Sequence, residues 1–295
     1  MPSLKEIRVR IKSVQSTQQT TRAMKMVAAS KLRRAQDNMQ KFRPYATKLR
    51  ALLNNVAATA EGDLNSPYAE ARNADGHVLL VLVTSNRGLC GAFNTNILKR
   101  FYADVQGKYA HKLAAGKLSV LCIGKRGFDF VNRRKLPTVG DNHDVFQGIN
   151  FERVNAVASV VMDGFTDRKW DEVALYYNSF KNVATAEPTA EKMLPVVLDT
   201  TAVAPTVTAD YIFEPEKEEM LVALIPDILR AQFYRVCLES FASEQGSRMI
   251  AMDNATENAQ ELIDKLKLIF NKARQASITK EILEIVSGAE ALSGK

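Results

Sequence analysis

The chain has 295 residues, 46% of them apolar and 25% charged, with a net charge of +7. That is enough for one large or two ordinary domains with a proper core, yet no apolar run approaches the roughly 18 to 20 residues of a membrane span, and the N-terminus has no apolar signal core. The three cysteines, Cys90, Cys122 and Cys237, show no paired spacing, which excludes a metal site and a disulfide framework and points to a reducing, cytoplasmic setting.

Stepping three and four residues from Leu4 passes through Ile7, Ile11, Val14, Gln18, Thr21, Lys25, Ala28, Leu32, Ala35, Met39, Phe42, Ala46, Leu49, Leu53 and Val56. Thirteen of those sixteen positions are apolar, and the three polar ones, Gln18, Thr21 and Lys25, sit together. A 3.5-residue spacing keeps one stripe facing a partner helix, so residues 1–58 are predicted to form a coiled-coil helix. No glycine occurs before Gly62, and no proline lies between Pro2 and Pro44. At roughly 1.5 Å per residue the rod is about 80 Å long, more than a typical domain's diameter, so most of it protrudes. Residues 1–57 carry thirteen Lys or Arg against Glu6 and Asp37, a net of +11 that leaves about −4 for the remainder. Such a bias suits an acidic partner, whether nucleic acid, anionic lipid or acidic protein loops.

The middle of the chain changes period. His77–Val83 is an apolar strand-type run, followed by a turn over Thr84–Gly88 and a helix over Asn94–Val105. A second run, Leu118–Ile123, leads through Gly124 to a helix near Arg126–Arg133, and residues 151–167 read as another amphipathic helix. Val173–Asn178 and Met193–Val197 are the remaining predicted strands, with a polar segment at 181–192 and a loop at 199–209. Strands alternating with helices predict a small α/β, Rossmann-like domain over 59–210 with a largely parallel sheet.

Residues 211–295 return to the coil pattern. Pro226 is expected to end a short helix over 216–225 and to sit in the first turn of a long one. From Leu224 the seam runs through Ile228, Ala231, Arg235, Leu238, Ala242, Gln245, Met249, Met252, Thr256, Ala259, Ile263, Leu266, Phe270, Ala273 and Ser277. Its recurring alanines, like Ala28 and Ala35 on the first seam, let two axes approach closely, which suits an antiparallel pair.

Candidate chemistry is sparse. Ser85–Gly91 follows a strand and precedes a helix, where phosphate loops occur, but it lacks the P-loop lysine and the three-glycine dinucleotide spacing. Cys90 near a helix N-terminus could be activated, yet His77, His111 and His143 show no triad pattern, and a small half-buried residue is the ordinary reading. Glu216, Glu218 and Glu219 are first-turn acids that favour the helix dipole. No metal-ligand spacing appears, so no catalytic residue, metal or cofactor is expected. The polar stretch around Gln18, Thr21 and Lys25 is either a register device or a place where other partners meet the helix, and spacing leaves both open.

Ile7-x-x-Arg10-Ile11-x-Ser13-Val14 with Ala23–Lys31 resembles the gamma-subunit family of rotary F-type ATP synthases. Ser243-Glu244-Gln245, Arg248–Thr256, Asn271–Glu281 and Glu284–Ala289 resemble its closing signature, and Thr84–Gly91 the first turn of its middle domain. The resemblance implies a rotor shaft, an antiparallel coil of both termini inside a ring of alternating alpha and beta subunits. Its α/β foot would rest on the c-ring beside the epsilon subunit, peripheral to the cytoplasmic face of a bacterial plasma membrane. It implies that Met24 and Lys25 meet the acidic lever of beta, and that Arg274 and Gln275 hydrogen-bond the catch loop of an open beta. It places Tyr211 and Glu214 against the polar loops of the c-ring, with Arg43, Pro44 and Tyr45 near the same end. Nothing resembles the chloroplast branch's cysteine insertion, and Met1 directly before the usual start implies a bacterial protein without a transit sequence. On that reading, Gln18, Thr21 and Lys25 mark where the shaft is held less by its partner helix and bears on surrounding subunits. A nucleic-acid-binding arm is the second reading, but Phe42 and Tyr45 are the basic helix's only aromatics. A Rossmann-type enzyme with helical extensions is the third, disfavoured by its incomplete glycine loop.

Overall fold

A computed structural model describes residues 3–59, 66–70, 72, 75–196 and 217–294. In chain order the elements are α1 (Leu4–Thr59), β1 (Val78–Val83), α2 (Phe93–Gln106), α3 (Ala110–Ala114), β2 (Leu118–Ile123) and α4 (Lys125–Arg133). They continue with β3 (Thr138–Asp141), a 3-10 turn (His143–Gln147), α5 (Phe151–Thr166), β4 (Glu172–Phe180), β5 (Ala186–Leu194) and α6 (Lys217–Ser293). The chain forms two compact units, residues 1–28 with 249–295 and residues 29–248, and both long helices contribute to each.

The first unit is a two-helix antiparallel coil. Ser3 and Glu6 start α1 with a capping box, in which the Ser3 amide donates to Glu6 Oε2 at 3.1 Å and the Glu6 amide to Ser3 Oγ at 3.3 Å. Ile7 and Ala28 of α1 and Met252, Ala259, Ile263 and Leu266 of α6 are buried, all of them seam positions. Ile11, Val14, Phe270 and Ala273 are half-buried on the same stripes, so the heptads read from the sequence are the contact line.

The second unit is a five-stranded sheet in the order β3-β2-β1-β4-β5. β1 pairs in parallel with β2 and with β4, β2 in parallel with β3, and β4 antiparallel with β5. Central β1 is fully buried because its VLLVLV run faces helices on both sides. Val78, Leu80 and Leu82 pack with Ile97, Phe101 and Val105 of α2, and Leu79, Val81 and Val83 with α5 and residues 225–237 of α6. In the same unit, Leu32 and Ala35 of α1 close on Ala242 of α6, where small side chains let the axes approach. Gly124 has φ 104°, and a Cβ there would lie 2.1 Å from the Thr84 carbonyl oxygen, so the β2–α4 turn requires glycine.

The α/β class, the coil and the largely parallel sheet are as the sequence predicts, with three corrections. Pro226 lies inside α6 rather than starting it. The lost amide and ring clash cost about 3 kcal/mol, and burial of flanking Ile225 and Leu229 against the sheet, about 1.5–3 kcal/mol each, offsets that. The polar segment at 181–192 is largely strand, since β5 begins at Ala186 and ends at Leu194. An edge strand needs only one buried face and tolerates a proline, and Pro188 sits opposite Asn178 at that edge. Finally, β3, α3 and the 3-10 turn are four or five residues each, too short for a periodic signal. The predicted loop at 199–209 lies outside the described residues.

Candidate partner-contact surfaces

In the coil unit the polar interruption of the α1 seam is matched residue by residue on α6. Gln18 Nε2 donates to Gln260 Oε1 at 2.9 Å, the hydroxyls of Thr21 and Thr256 lie 2.8 Å apart, and Lys25 Nζ is 2.5 Å from Asp253 Oδ1. The expectation that α1 is held less firmly by its partner helix here is therefore overturned, because each polar seam residue bonds across the coil. Met24 is half-buried beside this ladder, while Met26 and Val27 are exposed. Arg274 and Gln275 are exposed, flanked by half-buried Ala273 and Ser277, so both face away from the seam.

Arg8 stacks over the Phe270 ring at 5.5 Å, close to the start of α1 at Leu4. With that register α6 runs on past the start of α1, and the described side chains of residues 278–289 are all exposed. Ile278, Ile282, Leu283, Ile285 and Val286 are all exposed there, Ile285 by 71%. Apolar side chains grouped on a helix without a partner are the kind of surface that another chain covers.

In the second unit Arg43 and Tyr45 are exposed. Tyr45 leans on Phe42 at 5.7 Å, and Phe42 meets Tyr234 of α6 edge-on at 5.0 Å, which ties this stretch of α1 to α6. Tyr211 and Glu214 lie outside the described residues, as does Glu216.

Thr84–Gly91 spends its polar groups on its own shape. Asn94 Oδ1 accepts from the Ser85 amide at 3.0 Å, Ser85 Oγ donates to the Arg87 carbonyl at 2.7 Å, and Asn86 Oδ1 accepts from the Lys125 amide at 3.0 Å. Cys90 is buried with Asn94 Nδ2 3.2 Å from its sulfur, and burial pushes the Cys237 thiol up to about 12. Neither is placed as a nucleophile. The Ser243-Glu244-Gln245 motif is buried, and Arg248 donates to Glu244 Oε1 at 2.6 Å.

A second network was not anticipated. Arg235 Nη2 of α6 donates to both carboxylate oxygens of Glu191 of β5, at 2.7 and 2.9 Å, and Arg235 Nη1 donates to Glu239 at 3.0 Å. The Tyr177 hydroxyl and Gln232 Nε2 donate to the same Glu191 carboxylate at 2.8 and 2.6 Å. Burial opposes ionisation of Glu191, but the Arg235 charge and these donors together hold its carboxyl below the usual range. An arginine on a largely apolar seam was the signal available, since a half-buried cation calls for an acid.

Among the described residues no group of His, Cys, Asp or Glu could hold a metal ion, and no helix is long and apolar enough to cross a membrane. A coil with exposed apolar positions, and an α/β layer whose first loop is closed on itself, define a protein that works through contacts with other chains. A match to the ATP synthase family spans residues 3–292. The ATP synthase gamma chain of Cytophaga hutchinsonii is 50% identical over 295 residues, covering 99% of this chain and 100% of the relative. That of Flavobacterium psychrophilum is 48% identical over 294 residues, covering 100% of both. The chain belongs to the ATP synthase gamma chain family. Among solved structures, a central stalk and c-ring chain of the Tetrahymena thermophila mitochondrial ATP synthase matches with a TM-score of 0.57 and 26% identity, covering 80% of this chain and 99% of that one. A chain of the Euglena gracilis mitochondrial enzyme shares the fold, with a TM-score of 0.64 at 20% identity over 99% of this chain and 95% of that one.

Proposed function

We infer that this chain is the central rotor shaft of an F-type ATP synthase, coupling c-ring rotation to the conformational cycle of catalytic beta subunits without an active site of its own. The observation that carries this reading is the end of α6, whose Ile278, Ile282, Leu283, Ile285 and Val286 stand exposed beyond the last seam contact and suit a surrounding apolar sleeve. Rotation does work because an asymmetric shaft has different contact energies with each beta conformer, and only such differences shift populations.

In this reading residues 1–58 and 211–295 are the coil-forming ends and 59–210 the globular foot. Met24, Lys25, Arg274 and Gln275 contact beta subunits. Arg274 and Gln275 are supported in that role by their exposure off the seam. Lys25 exchanges Asp253 for a partner's carboxylate, and the pair's half-exposed geometry leaves it open to such exchange. Arg43, Tyr45, Tyr211 and Glu214 face the epsilon subunit and the c-ring. The assembly is peripheral on the cytoplasmic side of the bacterial plasma membrane, reached through the c-ring. Reconstitution with alpha and beta subunits followed by an ATP hydrolysis assay tests the reading. A chain that fails to join the ring, yet shifts DNA at physiological salt, is a nucleic-acid-binding arm instead.

A further inference from the structure

β5 closes one edge of the sheet and, among the described residues, takes its strand pairing from β4 alone. A strand held on one side peels more readily than one held on both, so its second hold matters. That hold is α6. Gln232, Arg235 and Glu239 stand three and four residues apart, which puts them on one stripe of the helix. Gln232 and Arg235 donate to Glu191 of β5, and the Ser179 hydroxyl of β4 donates to Glu239 Oε2 at 3.1 Å. Arg235 Nη1 joins the two halves, donating to Glu239 and, at 3.3 Å, to the Tyr177 hydroxyl. Further along α6, a Cβ on Gly246 would lie 2.9 Å from the Val183 carbonyl oxygen, so the turn between β4 and β5 rests on the helix backbone. From Gln232 to Gly246 the hairpin follows about 20 Å of α6. The β1–α2 loop has a tie of its own, since Arg248 donates to the Arg87 and Gly88 carbonyls at 3.1 and 3.3 Å, but the edge strand depends on Arg235. Stability alone does not call for ions on this stripe. Apolar side chains of similar size would hold the strand as well, yet hydrophobic contact has no direction and lets one surface slide on another. Charged hydrogen bonds fix one position along the helix.

We propose that Arg235 is a positioning residue for coupling, locking the β4–β5 hairpin to α6 at a single position so that the α/β foot and the shaft helix move as one body under load. The role in coupling rests on the rotor reading, whereas the lock rests on geometry alone. Force entering the sheet crosses to α6 through side chains. A hairpin free to shift along the helix would absorb that work as local deformation, while a hairpin pinned by Arg235 passes it on.

Hydrogen exchange of the full-length chain tests the lock. Arg235→Met should speed exchange of the β5 amides about tenfold while leaving β1 and β2 protected. A double variant, Arg235→Met with Glu191→Leu, removes the stranded acid as well and should melt close to the wild type. In the synthase reconstituted into vesicles, protons pumped per ATP hydrolysed should nevertheless fall severalfold for both variants, with hydrolysis itself retained. Pumping that returns to normal in the double variant would make the network a stabiliser only and overturn the proposal. So would a uniform rise in exchange across the sheet, with no excess at β5. Should either variant not fold, Arg235→Lys, which keeps the charge but has fewer donors, carries both readouts. Failure of the wild-type chain to assemble removes the rotor reading, and with it the role in coupling, while the lock still stands or falls on exchange.

Discussion

Lys25 of α1 meets Asp253 of α6 with Nζ 2.5 Å from Oδ1, in the seam position where an ordinary coil would place leucine. Both side chains are more than a third exposed, so the pair is worth no more than about 1 kcal/mol. Its value lies in alignment. A slip of one heptad would part Lys25 from Asp253 and Gln18 from Gln260, and would set Thr21 opposite Ile263 or Met249 in place of Thr256. Three weak bonds in sequence thus specify one register for a helix pair whose alanine-rich seam would tolerate several.

The Thr21–Thr256 contact should behave accordingly in a double-mutant cycle. Either single valine substitution removes the contact across the coil but leaves the other hydroxyl its bond to a carbonyl of its own helix, Gln18 for Thr21 and Met252 for Thr256, so it should cost no more than about 1 kcal/mol, and the double substitution should be near neutral or stabilising. Thermal and urea unfolding of the four variants measures the coupling. Additive losses would mean that the hydroxyls act independently.

Glu191 gives the acid limb a predictable sign. Its carboxyl titrates below the ordinary range in the folded chain, so its contribution to stability is complete above the unfolded value near about 4.3 and is lost as pH falls through the lower folded value. Glu191→Gln should cost about 1–3 kcal/mol at neutral pH, by weakening charge-assisted bonds to Arg235. It should also flatten the fall of unfolding free energy below about pH 4. Urea titrations across that range check both. Glu244 works in the opposite sense, since burial raises its carboxyl despite Arg248, and protonating it on acidification is favourable to the fold.

Gly164 is packed against the chain's single tryptophan. A Cβ there would fall 2.0 Å from Trp170 Cζ2, while the indole donates to the Val161 carbonyl at 2.9 Å. Gly164→Ala should therefore displace the ring and destabilise by about 1–3 kcal/mol or more. Trp170 emission should shift to the red, as the ring moves from its buried site. An unchanged spectrum with unchanged stability would show that α5 can shift to make room.

Removing residues after Ser277 should hardly alter the melting temperature of the isolated chain, by about 1 °C or less, because the apolar side chains described there are exposed and bury little surface. ATP hydrolysis by the reconstituted complex should fall severalfold, since the sleeve contact is lost. Arg274→Ala should show the same separation on a smaller scale, because the exposed side chain contributes little to the coil. Parallel loss of melting temperature and activity in either variant would place these residues in the fold instead.

Much of the fold is legible in the sequence. Heptads report burial directly, because a helix shows one face every 3.5 residues, and Ile7, Ala28, Ile263 and Leu266 are buried where the spacing puts them. The unbroken VLLVLV run could only be a strand covered on both faces, which requires helices above and below it. Strand β5 was not legible, because an edge strand with one wet face has the composition of a loop.

The sequence by itself determined the two long seams, the parallel α/β layer and the residues carrying the family's motifs, since each is local or periodic along the chain. Only the tertiary structure decided what the exceptions mean. Gln18, Thr21 and Lys25 read alike as a register device or a contact surface until Gln260, Thr256 and Asp253 stood opposite them. Arg248 likewise has its meaning from carbonyls some 160 residues away. Polar pairing across a coil, or between a helix and a distant loop, depends on which groups meet in space, and spacing along a chain carries no record of that.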